Sequence, residues 1–457
     1  VIQSAGRGPI LGTDWRQLAP TLSQALARGI RNAVLDGQLR PAEPLPAERR
    51  LAAQLGLSRG TVVAAYSRLR AEGWLTTRHG SGSAIRVPAT LRVRYAPLSI
   101  DQPGALLDLR RAVPAAPHGI FVASVHSALA RSSGLLLEDG EPGPGLPRLR
   151  ELIAARFTGE RLATSPQQIL ITAGARAAMS LLAAHLRPRA AIVESPTFFG
   201  ILSILRQSAS RISSIAVSSQ GGWNPRHIDD AFSGLNGGIA MLVPDFHNPT
   251  AAVMSWEARK EIAERARSAR VTIIANEVMR DLDLRDSPEP VRRIPGAIIV
   301  GSMSKTVWAG LRVGWLRGPA SLIRELQLNP LCVACAPPPL EQLIACELLP
   351  QLAPLTGQRI GELRRQRDYL VNALREEGSW DFSIPQGGLW LWMRHARVSG
   401  DALATRASDY GLALLSGSRF SLDGTLGNWL RFPFTAPVPT LCRALNLLRR
   451  AVAAMET

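Results

Sequence analysis

The chain has 457 residues, with 53 basic against 36 acidic side chains and a formal charge of +17. A hydrophobic fraction of 46% beside 19% charged residues excludes a disordered chain, and four cysteines in this length exclude a disulfide scaffold. Arginine interrupts every apolar run before the roughly 18 residues of a membrane helix, and the N-terminus lacks a signal-peptide pattern, so the expected location is the cytoplasm, with no membrane partner.

The first 95 residues carry 14 arginines against five acids, while the other 362 residues carry a net +8. That asymmetry predicts a small basic module joined to a larger, nearly balanced one. From Trp15 to Leu35, apolar Leu18, Leu22, Leu26, Ile30 and Val34 share one helical face. Pro46 can open a second helix, Ala47 to Leu55, which Gly56 would close. Ser58 then caps a third, from Arg59 to about Glu72. Two helices joined by so short a turn make a helix-turn-helix, whose second helix meets base edges through its first residues. Gly73 to Arg78 and Ala84 to Val87, flanking His79-Gly80-Ser81-Gly82-Ser83, read as a β-hairpin able to approach phosphates.

Leu45-Pro46-Ala47-Glu48-Arg49-Arg50-Leu51-Ala52, Leu57-Ser58-Arg59-Gly60-Thr61-Val62, Ala65-Tyr66, Glu72-Gly73 and Gly80-Ser81-Gly82 resemble the winged helix-turn-helix of GntR regulators over residues 12–87. The resemblance implies DNA contacts from Arg49, Ser58, Arg59, Gly60, Thr61, Arg78 and the wing near Gly82. Ala47 stands where the family usually has Ser, and Gly60 where Thr is frequent. Residues 88–106, with Pro88, Pro97, Pro103 and Gly104, read as a linker.

From residue 107 to 457, helical patterns alternate with short apolar strands, among them Gln168–Thr172, Ala190–Val193, Ile239–Val243, Val271–Ile274 and Ala297–Val300. The pattern predicts an α/β fold around a mostly parallel buried sheet, with ligands at the carboxyl ends of the strands. Three motifs follow such ends: Thr172-Ala173-Gly174-Ala175-Arg176, Pro244-Asp245-Phe246-His247-Asn248-Pro249-Thr250 and Ser302-Met303-Ser304-Lys305, with Arg312 soon after. Only two of the 53 basic residues are lysines, Lys260 and Lys305. Lys260, near Glu257, Glu261 and Glu264, reads as a solvated partner of helix carboxylates. Lys305, between hydroxyls and close to an arginine, has the setting of a Schiff-base amine beside a phosphate. Cys332 and Cys335 have C-x-x-C spacing but no second ligand pair, so buried thiols are expected and no metal.

These motifs, with Glu194-Ser195-Pro196-Thr197-Phe198-Phe199-Gly200, Pro385-Gln386-Gly387-Gly388 and Leu430-Arg431-Phe432, resemble a fold-type I pyridoxal-phosphate (PLP) enzyme of the aspartate aminotransferase class. Joined to the winged helix, they resemble a MocR-type GntR regulator from about residue 12 to the end. The resemblance implies a smaller α+β subdomain over about 340–457. It implies a Schiff base at Lys305 and phosphate contacts from Ser302, Ser304, Arg312 and the Gly174-Ala175-Arg176 turn. Phe198 would stack on the pyridine ring, Asn248 would bond its phenolic oxygen, and Arg431 would pair with the carboxylate of an amino-acid ligand. Asn276 stands where the family has an Asp against the pyridine nitrogen; Val278 replaces a frequent Tyr or Thr, Ala251 a frequent Gly, and Arg176 the usual Gln. Strand alternation turns Glu277 away from that position. A neutral amide cannot keep the ring cationic, so weak or no transamination is expected. The expected function is a homodimeric regulator that binds operator DNA and senses an amine, an amino acid or PLP. Two alternatives stay open: an aminotransferase with an accessory DNA-binding domain, and a repressor whose enzyme-like domain has lost PLP and only dimerises.

Overall fold

The computed structural model describes residues 15–39, 41–78, 82–86, 88, 106–137, 139–140, 143–287 and 291–456. The apolar face expected over Trp15 to Leu35 is split into a 3-10 turn, Trp15–Gln17, and helix α1, Leu22–Leu35. Pro20 causes the break, because proline has no N–H to donate and disfavours helix in the residue before it. Thr21 restarts the helix by accepting the Gln24 N–H at 3.3 Å. Strand β1 (Pro44–Leu45) precedes α2 (Glu48–Leu55), which closes at Gly56 with a left-handed φ of 63°. Helix α3 (Arg59–Ala71) opens on Ser58, whose hydroxyl accepts the Thr61 N–H at 3.0 Å. Strands β2 (Leu75–Arg78) and β3 (Gly82–Ile85) pair antiparallel, and β1 extends them to a three-stranded sheet. The turn between β2 and β3, and most of the expected linker, lie outside the described residues. Leu26, Ile30, Leu51, Val62 and Leu69 form a core separate from those of the larger unit. Buried Tyr66 locks α3 to the start of α2 by donating its hydroxyl to the Pro46 carbonyl at 2.8 Å.

The larger unit begins with β4 (Leu107–Asp108). Its main sheet holds β5 (Ile169–Thr172), β6 (Ala190–Ser195), β7 (Arg211–Ser218), β8 (Gly222–Trp223), β9 (Gly238–Leu242), β10 (Val271–Asn276), β11 (Ile298–Ser302) and β12 (Gly314–Arg317). The order is β5-β12-β11-β10-β9-β6-β7-β8. Strands β11, β10, β9, β6 and β7 run parallel, whereas β12 is antiparallel to both neighbours. In β6, β9 and β10 apolar residues pack into a core on each side, so these strands carry almost no polar face, whereas the edgeward β7 is half-buried and serine-rich.

A second layer contains β13 (Trp380–Phe382), β14 (Trp390–His395), β15 (Leu412–Ala413), β16 (Leu415–Ser416) and β17 (Trp429–Pro433). Four of these form the sheet β13-β14-β17-β16, while β15 pairs parallel with β4. This layer also meets the N-terminal unit. Asp36, closing α1, accepts hydrogen bonds from Arg394 at 2.8 Å and Asn428 at 2.9 Å. Burial raises the Asp36 carboxyl above its ordinary range, against the opposing pull of Arg394 and Asn428. Gly37 lies so close that an added Cβ would stand 2.7 Å from Leu426.

Candidate cofactor and ligand site

Strands β5, β11, β10 and β9 deliver their carboxyl ends to one region of the sheet. β5 leads through Thr172 into Gly174, whose φ of 100° suits glycine, and then into the helix Ala175–Leu186. Gly314 of β12 packs directly below: a Cβ there would stand 2.7 Å from the Gly174 Cα. Two side-chain-free residues therefore let the turn sit on the sheet, with its first helical N–H groups beside β11. At the end of β11, the Ser302 and Ser304 hydroxyls are 2.7 Å apart, and Ser302 donates to the Val313 carbonyl at 3.1 Å. Both hydroxyls lie 3.9 Å from where a Cβ of Gly174 would be. A helix start and two hydroxyls so arranged fit a phosphate. Arg312 follows a short 3-10 turn with a left-handed φ of 56°, and its side chain is exposed.

Lys305 donates its ammonium to the Ala112 carbonyl at 2.8 Å. Burial, then repulsion from Arg431, Arg111 and Arg176, brings it down to about 7. Near neutral pH a lysine so placed is the free amine that carbonyl chemistry needs in about half of the molecules, against almost none for an ordinary lysine. Lys260 is different. It is exposed, no carboxylate lies within ion-pairing distance among the described residues, and its ammonium sits 5.8 Å from the Trp256 ring centroid. Its partner is thus an aromatic face rather than the expected glutamates.

Arg431 on β17 is 3% exposed. It donates to the Asn248 side-chain oxygen at 3.2 Å and to the Arg110 carbonyl at 2.6 Å, with its guanidinium over Trp390 and Phe420. Burial lowers it to about 9, and its Nε lacks a partner in the described structure. A buried guanidinium held only by neutral groups calls for an anion. Arg176 lies over the Phe198 ring at 5.6 Å, just before the helix Phe199–Ser208.

Strand β10 ends at Asn276, so alternation does not itself reach Val278. Glu277 is nonetheless drawn elsewhere: its carboxylate accepts from Arg293 at 2.8 Å and lies 3.9 Å from Arg280. Asn276 is 5% exposed, and its side-chain oxygen makes a long 3.4 Å contact with the Val278 N–H.

Two buried pairs fix the loop Asp245 to Thr250, and neither was singled out in the sequence. Arg259 is fully buried and donates to Asp245 at 2.7 Å, to the Pro244 carbonyl at 2.9 Å and to the Met254 carbonyl at 2.9 Å. His247 bonds Thr250 at 2.9 Å and stands 3.8 Å from Glu194. That last contact is not an ion pair, because burial pushes Glu194 up to about 8 and His247 down to about 3. The stretch Arg110 to Ala112 was also missed. It reaches the site through backbone carbonyls, which carry no residue signature.

In the N-terminal unit, Arg49, Ser58, Arg59 and Gly60 are exposed at the starts of α2 and α3, with Thr61 half-buried beside them. Ser58 spends its hydroxyl on the Thr61 N–H and lies 2.8 Å from the Thr61 hydroxyl. Arg78 ends β2 and Gly82 opens β3, opposite each other in the ladder.

Residues 137–446 match the family of class I and II aminotransferases. The chain belongs to that family. Residues 22–85 match the gntR family of bacterial regulatory proteins, and together the two give the architecture of MocR-type GntR regulators. The chain is 26% identical to the uncharacterised HTH-type transcriptional regulator YisV of Bacillus subtilis, over 81% of this chain and 84% of that one. It is 29% identical to the pyridoxine biosynthesis regulator PdxR of Corynebacterium glutamicum, over 66% of this chain and 67% of that one. The α-aminoadipate aminotransferase LysN of Thermus thermophilus shares the aminotransferase fold, with a TM-score of 0.69 at 21% identity over 77% of this chain and 92% of LysN. This member of the family therefore joins a GntR-type DNA-binding unit to an aminotransferase-like one. No described helix is long and apolar enough to cross a membrane.

Proposed function

We propose that this protein is a DNA-binding transcription regulator whose aminotransferase-like unit binds PLP and senses an amine or amino acid. The observation that carries the proposal is the company Lys305 keeps. A buried amine brought to about 7 shares its site with a buried arginine lacking an anion and with a hydroxyl-and-helix cradle, in a chain that also presents a winged helix. The residues fit the cofactor. Ser302, Ser304, Arg312 and the Gly174-Ala175-Arg176 turn would hold its phosphate, Phe198 would cover the ring, Asn248 would meet the phenolic oxygen, and Lys305 would supply the amine. When bound, the cofactor supplies an aldehyde for Lys305 or for an incoming amine and, with a protonated ring, an electron sink. Asn276 offers no charge to hold that proton, which favours ligand binding over rapid Cα-proton transfer. Arg431 would fix the α-carboxylate of an amino acid, and the carbonyls of Arg110 and Ala112 would keep Arg431 and Lys305 placed before the ligand arrives.

On the DNA side, Arg49, Ser58, Arg59, Gly60, Thr61, Arg78 and Gly82 form the proposed operator surface, used twice by a homodimer. The route between the two functions runs along β17. Arg431 lies three residues from Asn428, whose side chain holds Asp36 at the end of α1. A ligand on Arg431 changes DNA affinity to the extent that it favours one arrangement of this contact. The test is absorbance titration of the full-length protein with PLP, beside Lys305→Ala. A band present only with the lysine is expected. No difference between the two proteins would overturn the cofactor proposal.

A further inference from the structure

Between the ligand site and the DNA-binding unit lies a small core of its own, made of Trp392, Leu415 and Phe420, with Phe199 and Trp429 packed against it. Two groups of the proposed ligand site end on it. The Arg431 guanidinium lies 5.1 Å from the Phe420 ring centroid. Phe198, proposed to cover the cofactor ring, meets Phe199 at 4.7 Å between centroids, and Phe199 meets Phe420 edge to face at 6.2 Å. The backbone repeats this second link, because the Thr197 N–H donates to the Phe420 carbonyl at 2.8 Å. Phe420 is fully buried, so a shift of either group is passed to it rather than to solvent.

From Phe420 the contacts run on to the N-terminal unit. The Phe420 ring meets Trp392 edge to face, with centroids 5.6 Å apart. Trp392 stacks on Trp429 at 5.4 Å, with 2° between the ring planes. The sheet register accounts for the stack. Trp392 of β14 lies opposite Arg431 of β17, and Arg394 lies opposite Trp429, so the two tryptophans are diagonal neighbours on one face. Arg394 places its guanidinium 5.3 Å from the Trp429 ring centroid and donates to Asp36, at the end of α1, at 2.8 Å. The packing leaves no slack: a Cβ on Gly417 would stand 2.8 Å from the Trp429 Cβ and 3.1 Å from the Trp392 ring. Only the last contact has an alternative. The Arg394 Nε also donates to Asp381 at 2.8 Å, and Asp36 is also held by Asn428. Arg394 can therefore release Asp36 without being left unpaired, so this contact can take two arrangements.

We propose that the rings of Phe420, Trp392 and Trp429 couple the ligand site to the DNA-binding unit, with Arg394 as the member that holds or releases Asp36. This rests on the reading of the chain as a regulator that binds PLP, and it puts the coupling in side chains rather than in the β17 backbone alone. A ligand that redirects Arg431 or seats against Phe198 changes what Phe420 packs against. A close-packed stack has no void to absorb that change, so it is taken up at the nearest contact with two arrangements, the Arg394 fork. Trp429 and Arg394 are not among the residues proposed to meet cofactor, amino acid or DNA; they are positioning residues that act through Phe420 and Asp36.

The test measures the affinity of the full-length protein for its own upstream DNA with and without saturating PLP, beside an absorbance titration with PLP. In the wild type, PLP should change the DNA affinity about fivefold or more, the lower end for coupled sites. In Trp429→Leu the PLP band should form as in the wild type, while the change in DNA affinity falls below about twofold. Trp429→Phe restores a ring and should recover part of the response. Arg394→Met removes the contact with Asp36 from a half-buried position and should also lose the response, so the result does not hang on the fold of one variant. Trp256→Leu removes a ring from the helix Trp256–Ser268, outside this chain of contacts, and should keep it. A PLP response in Trp429→Leu or Arg394→Met equal to that of the wild type overturns the proposal and leaves the regulator reading standing. A wild type that forms the lysine-dependent band yet binds DNA equally with and without PLP overturns the proposal together with the coupling it rests on. A wild type with no such band overturns the cofactor reading, and the proposal with it.

Discussion

Replacing Asn276 by Asp should separate binding from chemistry. In the protein without cofactor, the new carboxylate would sit where the asparagine is 5% exposed, with one long 3.4 Å contact to the Val278 N–H. Arg293 and Arg280 cannot easily serve it, because Glu277, Glu160 and Asp245 already hold them. A buried group left unsatisfied costs about 1–3 kcal/mol. The cofactor-free variant should therefore melt a few degrees lower, since about 1 kcal/mol moves the midpoint by roughly 2–4 °C in units of 150–250 residues. With PLP bound the sign reverses. The carboxylate would pair with a protonated ring nitrogen, and a hydrogen bond to a charged group contributes about 1.5–3 kcal/mol. Expressed in the transition state, that is roughly ten- to hundredfold in turnover, at 1.36 kcal/mol per factor of ten. Single-turnover conversion of L-glutamate by wild type and Asn276→Asp, with calorimetry on the cofactor-free proteins, measures both halves. Unchanged turnover together with a lowered melting point would show that position 276 does not face the ring nitrogen. Wild-type turnover matching an ordinary aminotransferase would refute the argument from the neutral amide.

Other consequences are open to direct measurement. Arg59→Ala removes an exposed guanidinium from the first residue of α3. It should weaken binding to DNA from the protein's own upstream region by about 1–3 kcal/mol in a gel-shift or anisotropy titration, the range of one good base contact. Unchanged affinity would remove α3 as the recognition helix. Cofactor attachment should depend on pH through Lys305. Burial and the neighbouring arginines lower its pKa from 10.5 to about 7, so the neutral amine is scarce below that value and abundant above it. The attachment rate should rise about tenfold per pH unit below 7 and level off above it. A stopped-flow profile still climbing steadily to pH 9 would contradict that environment.

How much of this was legible in the sequence depended on whether a residue acts through its side-chain chemistry or its backbone. The five strands read from apolar runs are present within a residue or two, because a strand buried on both faces carries a continuous apolar signal. β12, the antiparallel strand between β5 and β11, was not read, since four residues of Gly-Trp-Leu-Arg carry no periodicity. β7 was missed because its half-buried, serine-rich sequence resembles loop. The motif residues at the strand ends could be named because glycine, serine, lysine and arginine there have distinct chemistry. Pro20 was visible, yet the apolar face running through it masked its effect on the first helix. The carbonyls of Arg110 and Ala112 could not be foreseen, because any residue offers a carbonyl. The Asp36–Arg394 contact joins residues 358 positions apart, beyond the reach of local pattern.

In the proposed regulator the state of Lys305 is felt at the DNA. The most direct test is the affinity of the full-length protein for its upstream DNA, measured with and without PLP and then with an added amino acid, in wild type and in Lys305→Ala. The wild-type affinity should change on adding cofactor or amino acid, and the change should vanish in Lys305→Ala while that variant still binds DNA. An identical response in both proteins, or none in the wild type, would contradict coupling between Lys305 and the DNA-binding unit.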